Sequence, residues 1–313
     1  MAAPTPIVLF LATSGRSGST LLERTVGQWD GWCSVGELSW VWEKGLIEDQ
    51  RCGCGTPLRS CPFWTEVFER GFGGFDGVDA EAQAAGWEDE RLTRNLGVFG
   101  PARIRERALA TKASRLDVLI TLYRSIAATA AADVVVDSSK FPLRPAMVLA
   151  RPDLSARVVH LVRDPRGMVF SWRRAKPEAA ADAGEGLAPA STWHAAAWWL
   201  ATHVALDRSL RGAGERVMQL RYEDFVADPG AALGSIAGLV GSDADPADIV
   251  EGRALRLGPT HTVWGNPDRH RSGLVEVRSD ERWRAEMPAS EKRLVTAITG
   301  PMLRRYGYPL HTA

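Results

Sequence analysis

Four short apolar runs punctuate the chain: Ile7–Ala12, Asp133–Asp137 (DVVVD), Arg157–Val162 (RVVHLV) and Arg216–Leu220 (RVMQL). Each is continuous in Val, Ile and Leu rather than alternating with polar residues, the pattern of strands buried on both faces of a parallel sheet. Between them lie longer stretches with helical spacing, Thr20–Trp29, Pro101–Ala131, Pro142–Ala150, Pro165–Arg174, Thr192–Arg211 and Ser290–Tyr306. Several open on a proline, whose missing N–H is harmless in the first turn of a helix. The alternation predicts an α/β three-layer sandwich with a central parallel sheet. Residues 71–100, rich in Gly and charge, and 177–190 (PEAAADAGEGLAPA) break the pattern and read as surface excursions, the second as a lid or a loop. No internal repeat is visible, and the expectation is one domain over residues 1–313 carrying these two insertions.

Composition narrows the partners. The 38 basic and 38 acidic residues cancel, so no global field draws the protein toward nucleic acid or anionic lipid, and any anion site must be local. The N-terminal apolar run is too short for a secretory signal and no segment is long enough to span a bilayer, which makes the cytoplasm the expected compartment. Cys52, Cys54 and Cys61 fall in RCGCGTPLRSCPFW, with Cys33 apart. Their C-x-C and C-x6-C spacing is not a standard zinc pattern, and no histidine is close in sequence. The expectation is therefore a turn carrying small buried thiols or one redox-sensitive pair, with a fourth metal ligand attainable only through long-range folding.

The chemistry concentrates where the first apolar run ends. FLATSGRSGSTLLERTVG is a strand, a turn rich in glycine and hydroxyls, and a helix start, which together place backbone N–H groups around a small concavity suited to an anion. A nucleoside-triphosphate loop needs G-x-x-x-x-G-K-[ST]. Here Gly18 and Thr20 fit, but Ser19 stands where the lysine belongs and Thr13 where the first glycine belongs. Gly15-Arg16-Ser17-Gly18-Ser19 also nearly meets the G-x-S-x-G nucleophile elbow and fails at its last position. Arg16 instead offers a planar fork of donors to an oxyanion. A second site follows the third run: VVHLVRDPRGMVFSW ends a strand at Arg163, opens a helix at Asp164-Pro165 and carries Ser171 two turns on. Ligands of open parallel sheets bind at the carboxyl ends of strands, where Arg16 and Arg163 both fall.

SGRSGSTLL and LVRDPRGMVFS, in this order, resemble the 3′-phosphoadenosine 5′-phosphosulfate (PAPS)-dependent sulfotransferases, specifically the GRSGST-type bacterial and tyrosylprotein-like branch. The resemblance implies a P-loop-like fold and transfer of a sulfuryl group from PAPS to a hydroxyl, with no metal required. It places the 5′-phosphosulfate on Arg16, Ser17, Gly18, Ser19 and Thr20, and the 3′-phosphate on Arg163 and Ser171. Glu37, in CSVGELSW, takes the position of the general base. Lys140, in VVVDSSKFP, takes that of the cation supporting the sulfuryl group and the leaving oxygen, with Asp137 orienting its loop. Tyr222, in LRYEDF, corresponds to an aromatic near the nucleotide. The loop HTVWGNPDRHRSG corresponds to the segment closing over adenine, with Arg269 and Arg271 as its candidate cations, although the R-K-G motif of the cytosolic enzymes is missing.

Without the resemblance these residues have plainer readings. Glu37 is then a helix-start acid at an N-cap or first-turn position, Arg163 a strand-end salt bridge with Asp164 or another acid, Asp137 a Walker-B-like magnesium ligand and Lys140 a solvated charge. Two rival functions follow, a P-loop kinase or NTPase and a nucleotide-binding module without catalysis. Trp29, Trp32, Trp40 and Trp42 around Glu37, with Trp193, Trp198 and Trp199, are mostly core by expectation and otherwise candidates to line an acceptor site. The acceptor expected is a hydroxylated small molecule such as a natural product, lipid or sugar.

Overall fold

The computed structural model describes residues 5–86, 96–174 and 191–311. The first strand, β1 (Ile7–Ala12), leads through a tight loop into α1 (Ser19–Val26), and a short strand β2 (Trp32–Ser34) follows. An excursion carrying α2 (Pro62–Phe72) and α3 (Ala80–Ala85) comes next. The stretch expected as one helix over Pro101–Ala131 is two, α4 (Ala102–Ala110) and α5 (Ala113–Ala130), parted at Thr111 and Lys112. The chain continues as β3 (Val134–Asp137), α6 (Arg144–Ala150), β4 (Ser155–Val162) and α7 (Pro165–Arg173). After the expected excursion at 177–190, which lies outside the described residues, come α8 (Thr192–Ser209), β5 (Val217–Arg221), α9 (Tyr222–Ala227) and α10 (Pro229–Val240). A small antiparallel sheet of β6 (Val250–Glu251), β7 (Ala254–Leu257) and β8 (Gly273–Glu276) precedes α11 (Arg282–Glu286) and α12 (Ala289–Arg305).

The main sheet is wholly parallel, in the order β2-β3-β1-β4-β5. β1 lies at its centre because both of its faces are buried. Val8, Phe10 and Ala12 face one layer with Val135 and Val158, while Leu9 and Leu11 face the other with Val136 and Leu161. The first layer includes α2, α5 and α6. The second includes α1, α10 and the small sheet. Burying such continuous Val/Leu runs, at roughly 1.5–3 kcal/mol per side chain, is what fixes these strands in the middle of the stack. The chain passes from β1 out to β2, returns through β3, and then crosses β1 to reach β4, so the strand order reverses at β1. A crevice opens at the carboxyl ends of strands at such a point. Sequence patterning did not show β2 or the small sheet: β2 and β6 have only three and two residues, and β7 (ALRL) and β8 (GLVE) lack the continuous apolar run that marks β3 (VVVD).

Candidate functional site

The loop between β1 and α1 is built by left-handed backbone. Arg16 has φ +61°, an uncommon conformation for a non-glycine residue, and Gly18 has φ +87°. Gly18 is also required by space: a Cβ there would lie 2.4 Å from Cδ2 and Cε2 of Tyr222, whose ring packs against the loop. From Gly18 the chain enters α1, with the Leu21 and Leu22 N–H groups bonded to the Gly18 carbonyl. The first N–H groups of that helix therefore open toward the same concavity.

The loop is held from behind by buried polar groups. The Thr13 hydroxyl lies 2.6 Å from Ser17 Oγ and 2.7 Å from the Leu161 carbonyl oxygen, which turns the Ser17 side chain inward. Ser14 Oγ lies 3.2 Å from Nε2 of His203, whose Nδ1 is 3.0 Å from Nε2 of His160. Burial pushes both histidines below their ordinary range, His160 to about 4, so this pair is a neutral polar support for the loop. Arg163 donates to the Arg16 carbonyl at 2.9 Å and lies over the Tyr222 ring, 4.7 Å from its centroid. The alternative of a salt bridge to Asp164 is not what forms. Asp164 gives its two carboxylate oxygens to Arg166, at 2.9 and 2.7 Å, and also caps α7.

A cavity of about 230 Å³ sits over this loop. Arg16, Ser17, Gly18, Ser19, Thr20, Lys140, Tyr222 and Arg271 line it. Arg163 and Ser171 do not. Arg163 lies behind Tyr222, and Ser171 receives a hydrogen bond from Arg16 at 3.4 Å, so both are one side chain removed from the cavity. Arg16 keeps a buried Nε with no partner among the described residues, and burial, together with the neighbouring Arg163, lowers its pKa.

Lys140 follows β3 and donates to Glu37 Oε1, an ion pair with little solvent access. Glu37 is 1% exposed. Burial pushes its carboxyl up, and Lys140 opposes that rise. Glu37 does stand at the N-cap of a 3₁₀ turn (Leu38–Val41), the helix-start position, but its side chain makes no capping hydrogen bond there and pairs with Lys140 instead. Asp137 orients the Lys140 loop: Tyr123 donates to its Oδ2 at 2.6 Å, and the Ser139 N–H and hydroxyl donate to Oδ1 at 2.8 and 2.5 Å. Two members of this site were not read from the sequence. Glu23, on α1, is buried, accepts from the Ser138 hydroxyl and is pushed up to about 8 by burial. Arg24 lines the cavity while its guanidinium ties α1 to the carbonyls of Asp268 and Gly258, at 2.8 and 3.0 Å. Nothing local in the sequence sets either apart from other charged helix residues, and the distant segments packed on α1 are what bury them.

The late loop divides its two arginines. Arg271 lines the cavity and is exposed. Arg269, expected beside it, is buried instead, donating to the carbonyls of Val263 and Arg51 at 2.8 Å each. It is a strut of the loop and does not line the cavity, because a buried guanidinium is drawn to carbonyls that would otherwise be unsatisfied. The far wall comes from the small sheet, through Leu257 and Val275, and from Val277 and Arg278 just after it. Trp29, Trp32, Trp42 and Trp199 are core, Trp40 is half-buried, and Trp193 and Trp198 are exposed.

Among the described residues no helix is long and apolar enough to cross a membrane. Carbohydrate sulfotransferase 5 of Mus musculus is 27% identical over 185 residues, an alignment taking in 51% of this chain and 44% of that protein's length. The sulfotransferase domain from the curacin biosynthetic pathway superposes with a TM-score of 0.55 at 18% identity, covering 98% of this chain and 100% of that one, so the two share a fold. The sulfotransferase STF9 from Mycobacterium avium gives a TM-score of 0.48 at 15% identity, covering 99% and 79%. A profile described as the sulfotransferase family matches residues 8–246. That match runs from within β1 through the anion loop, Glu37, Lys140 and Arg163 to a point just beyond α10, and by it this chain belongs to the sulfotransferase family.

Proposed function

We propose that this protein transfers the sulfuryl group of PAPS to a hydroxyl of a small-molecule acceptor, giving a sulfate ester and adenosine 3′,5′-bisphosphate. The observation that carries this reading is the meeting, in one cavity, of the Arg16 loop and Lys140, with Glu37 directly behind it. In the proposed step the acceptor oxygen bonds to sulfur as the bond from sulfur to the bridging phosphate oxygen breaks. The acceptor proton goes to Glu37, and the electron pair stays on the departing phosphate. Arg16 and the N–H groups at the start of α1 face the equatorial oxygens, and the Lys140 ammonium faces the bridging oxygen, where charge develops. Arg163 and Ser171 hold the 3′-phosphate after the Tyr222 ring or the Arg16 side chain shifts from its resting place.

The resting ion pair has a consequence for the base. While Lys140 is bound to Glu37 it holds that carboxylate ionised against its burial. Drawing the ammonium toward a phosphate oxygen removes the opposing charge and makes Glu37 a stronger base when the donor is seated. Fixed cations and backbone amides suffice for a sulfuryl group, which carries less charge than a phosphoryl group, so the step is proposed without a catalytic metal. Calorimetric titration with adenosine 3′,5′-bisphosphate, ADP and ATP, with and without magnesium, tests the donor site. Metal-independent preference for the bisphosphate is expected. Stronger binding of ATP with magnesium would make this a triphosphate site and remove the roles given to Arg163, Ser171 and Glu37. Labelled PAPS with a panel of hydroxylated acceptors then separates catalysis from mere binding.

A further inference from the structure

Away from the cavity, the fold brings the three clustered cysteines to a histidine some two hundred residues later in the chain. The metal-binding atoms of Cys52, Cys54, Cys61 and His261 all lie within 4.8 Å of one another. We propose that these four residues bind a structural zinc ion. A tetrahedral site with Zn–S near 2.3 Å and Zn–N near 2.0–2.1 Å needs sulfurs about 3.8 Å apart and sulfur-to-nitrogen separations of about 3.6 Å. The structure has Cys54 Sγ to Cys61 Sγ at 3.7 Å, Cys52 Sγ to His261 Nδ1 at 3.7 Å and Cys61 Sγ to His261 Nδ1 at 3.3 Å. The donor set, three thiols and one imidazole, is a closed set that zinc favours in structural roles.

The surroundings hold the ligands in place. The Cys52 N–H donates to the Thr56 carbonyl and the Gly55 N–H to the Cys52 carbonyl, both at 2.8 Å, closing a tight loop that returns Cys54 toward Cys61. Gly53 lies so close to the His261 segment that a Cβ would be 2.4 Å from Thr262 Oγ1 and 2.6 Å from the Thr260 carbonyl oxygen. The imidazole of His261 stacks on Phe63 at 4.5 Å, and its carbonyl accepts from Trp64 Nε1 at 3.0 Å. Cys52 and Cys61 are fully buried and Cys54 and His261 half-buried, so the site is shut off from the cavity that none of them lines.

On binding, the three thiols give their protons to solvent and the imidazole coordinates as the neutral base. The ion ties residues 52–61 to residues 260–264. The second segment in turn lies on the one carrying Glu37, with the Val263 N–H bonded to the Val35 carbonyl at 2.9 Å and the Glu37 N–H to that of Trp264 at 3.4 Å. The site does not depend on the sulfuryl-transfer reading, since a zinc tether would be present whatever the cavity binds.

The test uses the untagged full chain, purified under reducing conditions without added metal. Elemental mass spectrometry is expected to find about one zinc per chain, with His261→Ala and Cys61→Ser each lowering that content at least about tenfold. Replacing zinc by cobalt(II) in the unaltered chain is expected to give the thiolate-to-cobalt charge-transfer band and the intense visible bands of a tetrahedral thiolate site. That spectrum decides the matter even where a variant fails to fold. Hydrogen exchange at the Gly53 and Val263 amides is expected to accelerate after chelation and slow again on adding zinc. A soluble, folded chain with no zinc and no cobalt–thiolate band would overturn the proposal, as would a Cys54–Cys61 disulfide found under the same reducing conditions.

Discussion

Replacing Glu37 by Gln isolates the base from the architecture around it. The amide keeps the shape of the side chain, and its oxygen still accepts from Lys140, so the buried cation is not orphaned. The loss of stability therefore falls well short of the roughly 3–5 kcal/mol expected when one partner of a buried ion pair is simply deleted. The proton acceptor is gone, and loss of a positioned general base lowers turnover by about 10²–10⁴-fold. Binding of adenosine 3′,5′-bisphosphate is expected to be unchanged or tighter, because Lys140 no longer has to leave a carboxylate to meet a phosphate oxygen. Burial raises the Glu37 carboxyl above its ordinary value despite Lys140, so kcat/KM for the native enzyme should fall as pH drops into a range above that of an exposed glutamate. That limb should disappear in the variant. The assays are transfer of labelled sulfate from PAPS across pH and calorimetry with the bisphosphate. Turnover within about tenfold of the native enzyme, or bisphosphate affinity lost in proportion to turnover, would refute the assignment of Glu37 as base.

Arg163→Ala should weaken adenosine 3′,5′-bisphosphate by about 10–100-fold, the loss of a charge-assisted contact, while adenosine 5′-phosphosulfate is affected far less. Equal losses measured for the two ligands would remove the 3′-phosphate assignment. Gly18→Ala adds a methyl where φ is +87° and Tyr222 carbons lie at 2.4 Å. It should cost about 1–2 kcal/mol in chemical denaturation for the backbone alone, with part of any further loss recovered in the double variant with Tyr222→Ala; unchanged stability would show that the ring does not pin the loop. Glu23 is raised from 4.5 to about 8, so its contribution to stability is full below the unfolded value of 4.5 and is lost as pH rises through the folded one. Glu23→Gln should accordingly gain on the native protein steadily from pH 5 to 8, by up to a few kcal/mol; parallel denaturation profiles for the two proteins would mean that the carboxyl is ionised throughout.

The four long strands and the anion loop were legible from the chain because their signals are local. An apolar run buried on both faces carries its own signature, and a turn rich in glycine and hydroxyls between such a run and a helix start has the local pattern of an anion cradle. The placing of Arg16 and Arg163 at the carboxyl ends of two apolar runs was likewise enough to anticipate one edge of the sheet. Other features depend on residues far apart in sequence. Arg269 and Arg271 are two residues apart in one polar loop, and nothing local distinguishes them. Packing against Val263 and Arg51 draws the first into the scaffold and leaves the second facing the cavity. Glu23 and Arg24 likewise changed from helix-surface charges to buried members of the site only when residues 138, 258 and 268 closed over them. The cysteines show the same division. Their spacing specified three thiols on one turn, and His261 is brought to them by a loop that hydrogen-bonds to the segment carrying Glu37, which is itself bonded to β3. Periodicity and turn chemistry act over a few residues and can be read along the chain. Burial, ion pairing and ligand geometry are set by which distant segments exclude water together, and the tertiary structure alone decides that.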